Sequence, residues 1–395
     1  MKHKRSKKNF SRWVLVGVIV AIVVIGIYFL VTNLLGISIT GNGVVLQEDR
    51  EIISLNIKDN NYIGLNEKQI VKINRDGITA YDLEGYEIWS DTLSANNYIV
   101  KQREPYIAVG TKEGNQISLF NDKGKVTDII CENPIIYYSV NETGGIALIQ
   151  RLDGGHMVAA YNENGQYLGG MVSYTKMEGY PTTVELSPNN EVLIATYIKS
   201  DEPVVTSSIR AIDMNKNSGA EGQGVKYGIT EKENFIYEVE FIKDNVWVSI
   251  GDKNMTWYDL AGNEIAKKYN ITSIYKPYIT KRSNYGNGFL PIVSSENATK
   301  SIIRRKDTLT YWNAQGEIDF EMELENATDY LYIDTRGVVV GSENLFVGYN
   351  KIGNQTFSYK SSMDVSKVFY ISENRKGIAV TKEGILLLTP NGKVE

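Results

Sequence analysis

Cysteine is almost absent from this chain. The single Cys131 has no second thiol to pair with, so no disulfide framework holds the fold in any compartment. Histidine is nearly as scarce, with only His3 and His156, whereas a zinc centre of the usual kind needs several Cys or His ligands to converge. The Gly-x-Ser-x-Gly elbow, the phosphate-binding Gly-Lys-Ser/Thr loop and the His-Glu-x-x-His helix motif are all missing. No Asp-rich calcium loop is present either. Cys131 is followed by Glu132, an acid that disfavours the thiolate, and reads as a half-buried strand-end residue rather than a reactive thiol. His156, in Gly154-Gly155-His156-Met157, reads as an exposed strand-end residue beside a turn rather than a general base.

Acid is missing from the first part of the chain. Lys2, Lys4, Arg5, Lys7, Lys8 and Arg12 carry six positive charges, and no Asp or Glu appears before Glu48. Of the 42 basic residues, 42 − 6 = 36 remain for the rest of the chain, against 47 acidic ones. An acidic body of that kind argues against nucleic acid as partner. Charge of either sign is then absent from Trp13 to Leu35, a run of Val, Ile, Leu and Gly. At about 1.5 Å per residue this run spans roughly 34 Å as a helix, enough for a bilayer core of about 30 Å. The six basic residues hold its amino side in the cytoplasm by the positive-inside rule. A cleaved signal peptide is the alternative, but its apolar region is shorter and ends in a small-x-small site, which Gly36-Ile-Ser-Ile-Thr-Gly41 does not supply. The chain therefore divides into a basic cytoplasmic tail (1–12), a transmembrane helix (13–35), a linker (36–43) and an extracytoplasmic domain (44–395).

Turns are what this domain has in abundance. Asp82-Leu-Glu-Gly85 sits between two short apolar segments, with Asp at the first turn position and Gly where a left-handed residue must follow a type I turn. The pattern recurs at Asn121–Gly124, Asn162–Gly165, Asp259–Gly262, Asn313–Gly316, Asn350–Gly353 and, with Pro, at Thr389–Gly392. A degraded copy, Ile209–Asp213 with its turn swollen through Gly219, fills the long gap between Gly165 and Gly262. Upstream hairpins accompany these copies, most clearly Val184–Tyr197, and more loosely Tyr137–Ile149, Phe241–Ile250 and Phe369–Thr381. Two hairpins per unit of about 40–45 residues is the sequence signature of a propeller blade. The expected fold is all-β: a β-propeller of about eight four-stranded blades, preceded by a single transmembrane α-helix. Seven blades remain open if the swollen fourth copy is an insertion. The chain ends too soon after its last turn to complete a final sheet, so Val44 to Ile57 is expected to supply or reinforce the outermost strand there.

Gly85 followed four residues later by Trp89 resembles the quinoprotein-type propeller repeat, in which that Trp docks; the other copies lack it. Leu186-Ser-Pro-Asn-Asn190 resembles the Ser-Pro-Asp-Gly turn of WD-type propellers, although no Trp-Asp dipeptide occurs. The layout as a whole is similar to an uncharacterised family of membrane-anchored propeller proteins in Gram-positive bacteria. That resemblance implies a place in the cell envelope and assigns no activity. Quinone binding would require polar groups and a metal around a central tunnel, and the divergent repeats carry no such set, so no cofactor is expected.

The long sixth unit is the candidate binding element. Between Ile274 and Leu309 it gathers Tyr278, Arg282, Tyr285, Phe289, Arg304 and Arg305. A basic-aromatic loop on an acidic body is suited to a protein partner, a glycan or a phosphate-bearing polymer. The competing reading is an elongated hairpin whose Tyr and Phe pack on the blade. The expected function is a non-enzymatic binding or scaffold module in the cell membrane, held to lipid by residues 13–35 and meeting a protein or envelope component through propeller loops. A sensor of a small molecule or glycan, or a cell-surface enzyme, are the alternatives.

Overall fold

The computed structural model describes residues 43–93, 97–199, 204–216, 224–271, 288–295, 306–334 and 337–391. The expected cytoplasmic tail, membrane helix and all but the last linker residue lie outside them. Among the described residues no helix is long and apolar enough to cross a membrane.

The first strand, β1 (Val44–Ser54), stands apart from the sheet nearest to it in sequence. The residues after it form consecutive antiparallel meanders, each a blade. Blades I to V, at 62–91, 98–130, 135–174, 180–232 and 236–269, have four strands each. Blade VI, at 290–323, has three among the described residues, and blade VII, at 330–360, has four. Blade VIII contributes three strands at 365–390 and receives β1 as its fourth: Leu46 pairs with Pro390 and Ser54 with Gly384, antiparallel. The start of β1 also runs parallel to the last strand of blade VII, Val44 beside Phe357 and Leu46 beside Tyr359. The first and last strands among the described residues are thus hydrogen-bonded neighbours.

Blades pack face to face, and apolar side chains on both faces of each sheet are what make this possible. Ile73 and Ile107 share one core between blades I and II, Leu119 and Leu148 another between II and III, and Ile149 and Leu193 a third between III and IV. Ile194 and Trp247 join IV to V, while Val248, Leu309 and Val340 belong to one core that runs from V through VI to VII. Phe346 and Val368 join VII to VIII, and Ile378 meets Ile70 from VIII back to I. The chain of cores returns to its origin, so the eight sheets form a closed ring. The swollen fourth copy proves to be a full blade, its outer strands Thr206–Asp213 and Val225–Lys232 joined across the widened turn. Eight blades, rather than seven, account for the spacing.

The recurrent turn behaves as its residues demand. The Asp82 carboxylate accepts from the backbone N–H groups of Glu84 and Tyr86 at 2.9 and 2.8 Å, while Gly85 takes φ +92°. Asn162, Asp259, Asn313 and Asn350 repeat these bonds. Each turn also packs on the preceding blade. Trp89 of blade I stacks on Phe120 of blade II at 6.0 Å, donates to the Asp122 carbonyl at 3.1 Å, and lies over Gly124. Ala266 stands against Gly316 and Phe320 against Gly353 in the same relation. The docking suggested by Gly85 and Trp89 is therefore a rule of the ring, filled elsewhere by smaller or different side chains.

Gly85 itself faces β1: a Cβ there would lie 2.3 Å from the carbonyl oxygen of Ile52. Gly85→Ala combines left-handed strain with a backbone clash, and is expected to destabilise the domain by about 1–3 kcal/mol. Gly154→Ala, at φ +75° with nothing within 4 Å, carries the strain alone. Thermal melts of the two variants should rank Gly85→Ala as the lower; equal melting points would show that the contact with β1 contributes nothing.

Candidate binding surface

Antiparallel meanders place their turns on alternate faces of the ring. Turns between first and second strands, and between third and fourth, share one face, called here the turn face. There the Tyr106 hydroxyl donates to Glu163 of the next blade at 3.2 Å, and Asn141 Nδ2 donates to the Ser187 carbonyl at 2.9 Å. Turns between second and third strands share the opposite face with the connections between blades, called here the connection face.

The first strands of neighbouring blades touch around the axis of the ring. Three of them bring charge together where no sequence motif marks it. Arg103 of blade II and Glu240 of blade V, three blades apart, form an ion pair at 2.8 Å with side chains 6 and 3% exposed. Glu185 of blade IV, also buried, shares this environment. Burial pushes its carboxyl well above the ordinary value, Glu240 and Glu238 add to the rise, and Arg103 and Lys101 oppose it. The signal in the sequence was Val184-Glu185-Leu186, an acid alternating with apolar residues in a strand bound for the interior, and it is too common a pattern to single out.

The sign of this effect is definite. A buried carboxyl whose folded value lies above its unfolded value near 4.5 keeps a proton in the fold that the open chain has released. Its contribution is complete below the unfolded value and is lost as pH rises through the folded one. Glu185→Gln is therefore expected to raise stability at neutral pH and to flatten the decline above about pH 4.5, read as melting temperature against pH. An unchanged slope would place the Glu185 carboxyl in a solvated environment.

The connection face carries two neighbouring depressions. One, of about 420 Å³, is bounded by Asp59, Asn60, Asn61, Arg75, Asn97 and the ring of Tyr62. Arg75 Nε lies 3.4 Å from Asp59. Lys367 forms part of its wall, its ammonium 4.5 Å from the centre of the Tyr62 ring and donating to the Ile63 carbonyl at 2.7 Å. Burial lowers the pKa of this lysine. The second depression, of about 440 Å³, is lined by Thr92, Thr111, Asn115, Gln116 and Lys125. Tyr98 borders both. Amide, hydroxyl and charged groups around tyrosine rings can hydrogen-bond and stack on a polar ligand. Farther round the same face, Tyr174, Met177, Tyr180, Val204 and Val205 are exposed together on the connection from blade III to IV and on a loop of blade IV. Among the described residues no group of three or more His, Cys, Asp or Glu side chains is placed to hold a metal ion.

The expected site residues fall differently. Tyr278, Arg282, Tyr285, Arg304 and Arg305 lie outside the described residues. Phe289 is buried at 8% exposure, edge-on to Tyr311 at 4.9 Å with the Lys351 ammonium 5.6 Å over its ring, so it belongs to the core and not to an open loop. The stretch from Ile274 to Leu309 is not one long loop: Leu290–Ser295 is a strand of blade VI, and Leu309 lies within another, Asp307–Trp312. Leu290, Ile292 and Val293 are apolar on both faces because the blade is covered on both. His156 also departs from expectation. It lies beside a turn but is only 7% exposed, covered by Tyr180, and burial lowers its pKa. Cys131 is buried just past the last strand of blade II, where desolvation raises its thiol.

Residues 44–387 match the model of a protein family described as "Family of unknown function (DUF5711)". The chain belongs to this family. No curated protein matches it. Among solved structures, Sqt1 from Chaetomium thermophilum bound to the N-terminus of the ribosomal protein L10 aligns with TM-score 0.50 at 11% identity, covering 83% of this chain and 94% of that one. A second Sqt1 structure from the same organism gives 0.50 at 12%, covering 88% and 100%. BamB from Moraxella catarrhalis gives 0.47 at 12%, covering 87% and 97%. These neighbours are β-propellers, and at such identities the Sqt1 likeness shows the fold alone.

Proposed function

We propose that this family member is a non-enzymatic binding or scaffold module of the cell membrane, a propeller held outside the cytoplasm by a single helix at residues 13–35. The carrying observation is the connection face, where two polar depressions and an exposed apolar patch lie on a ring whose recurrent Asp/Asn–Gly turns, among the described residues, are occupied in packing blade on blade. The uncharged run from Trp13 to Leu35 behind six basic residues supports the anchor and its direction. A protein or cell-envelope component is the partner such a face suits. Sqt1, seen with the N-terminus of L10, is a precedent for a propeller holding a protein segment and says nothing of the partner here.

Protease added to intact cells tests the placement: it should remove the bulk of the chain and leave a short basic stub with its membrane segment. Survival of the whole chain until lysis would overturn the extracytoplasmic reading. Affinity purification from detergent extract, with Met177→Asp and Tyr180→Asp set against the unaltered chain, tests the surface. Loss of a co-purifying protein supports it, and an identical partner set assigns binding elsewhere. The depressions favour a second reading, capture of a small polar molecule or glycan. Under that reading, soluble oligosaccharides raise the melting temperature of the unaltered chain and fail to do so in Tyr98→Ala.

A further inference from the structure

We propose that the propeller stands on the membrane by its turn face, with the edge formed by blades VI, VII, VIII and I against the lipid headgroups, so that the connection face is presented away from the cell. This deepens the anchored reading above and rests on it.

The argument starts from where the chain enters the ring. Gly43 is pressed against the backbone of Thr356, just past the Asn350–Gly353 turn of blade VII, and Val44 pairs beside Phe357. The chain therefore joins the ring on the turn face. From there β1 climbs the full height of the blade, ending at Ser54 opposite Gly384, on the connection face. Its partner Gly384–Pro390 spans that height in 7 residues, about 23 Å at 3.3 Å each, the extra residues of β1 being taken up in two bulges.

The linker between the apolar run and β1 is residues 36–43. Fully extended, it reaches at most roughly 29 Å, and part of that is taken up by a headgroup layer of about 5–8 Å. The roughly 21–24 Å that remain are about the height of the blade. To place the connection face against lipid it would have to run fully taut along the whole height of the blade, whereas it reaches the turn face with slack to spare.

The side chains at that edge fit the placement. Tyr86 and Ile88 of blade I, Ile318 of blade VI, Ile352 of blade VII and Val45 of β1 are exposed by 73, 48, 48, 57 and 54%. They occupy the turns and the starts of outer strands nearest the point of entry. A tyrosine with scattered aliphatic residues suits a headgroup layer, where an apolar body and a polar tip are both solvated. The occupant is a lipid surface, because the tether holds it there.

The test uses the full chain in liposomes, with single cysteines introduced at Tyr86 and Ile352 on one face and at Ile57 and Met177 on the other, in a Cys131→Ala background. Each is labelled with an environment-sensitive fluorophore, and spin-labelled lipid headgroups are the quencher. A shift to shorter wavelength with loss of emission at positions 86 and 352, and neither at 57 and 177, is the expected result. Equal quenching at all four, or quenching confined to 57 and 177, overturns the orientation. Alkaline extraction separates the two claims: a chain stripped from the bilayer defeats the anchor and the orientation together. A chain retained with the wrong quenching pattern defeats the orientation alone.

Discussion

Arg103→Met is expected to destabilise the domain by about 3–5 kcal/mol at neutral pH, the cost of taking one partner from a buried ion pair. The guanidinium lies 2.8 Å from Glu240 and is also what most opposes the upward shift of the Glu185 carboxyl. Without it, two carboxyls from different blades face each other in a region closed to solvent. Methionine keeps much of the side-chain volume, so the loss reports on charge more than on a cavity. Acid should restore part of the stability, because protonating Glu185 removes one of the two facing charges; the restoration begins as pH falls through its raised folded value. Denaturant unfolding followed by tryptophan fluorescence at pH 7 and pH 5 would measure both effects. A loss that is the same at both values would mean that Arg103 acts through packing.

Leu46→Asp should have an effect of similar size for a different reason. Leu46 is 3% exposed on β1, within the core shared by blades VII and VIII. A carboxylate there has no partner and must either stay charged in an apolar layer or take up a proton, either of which costs several kcal/mol. Val45, one residue earlier and 54% exposed, points the other way. Val45→Asp is expected to change stability by less than about 0.5 kcal/mol, as surface substitutions do. The contrast between neighbours on one strand separates ring closure from strand propensity. If both variants unfolded at the same denaturant concentration, β1 would be an appendage and the ring would hold without it.

The architecture was legible because its signals are local. Asp or Asn at the start of a turn and Gly at its end are dictated by backbone geometry within five residues, and their spacing counted the blades. Ring closure was legible by subtraction, since the last hairpin lacked a strand and residues 44–57 had none to pair with nearby. The central charges were not, because Arg103, Glu185 and Glu240 meet only when three separate blades converge, and nothing in their own neighbourhoods marks them. In the sixth unit Phe289 alone can be compared, and it departs for a related reason. The length of the copy suggests a surface loop, yet Phe289 and Leu290 are held inside by the flanking blades V and VII, whose faces a local stretch of sequence does not reveal. His156 is buried in the same way, under Tyr180, a cover that its own turn does not reveal.

Ring closure by β1 also sets the order of events when the protein is made. The segment that leaves the ribosome ahead of every blade bonds to Gly384–Pro390, which leaves behind all of them. During synthesis β1 must therefore wait, its edge open, until the last hairpin of the ring has followed it. A chain cut short anywhere before the last hairpin has no clasp, however complete its other blades.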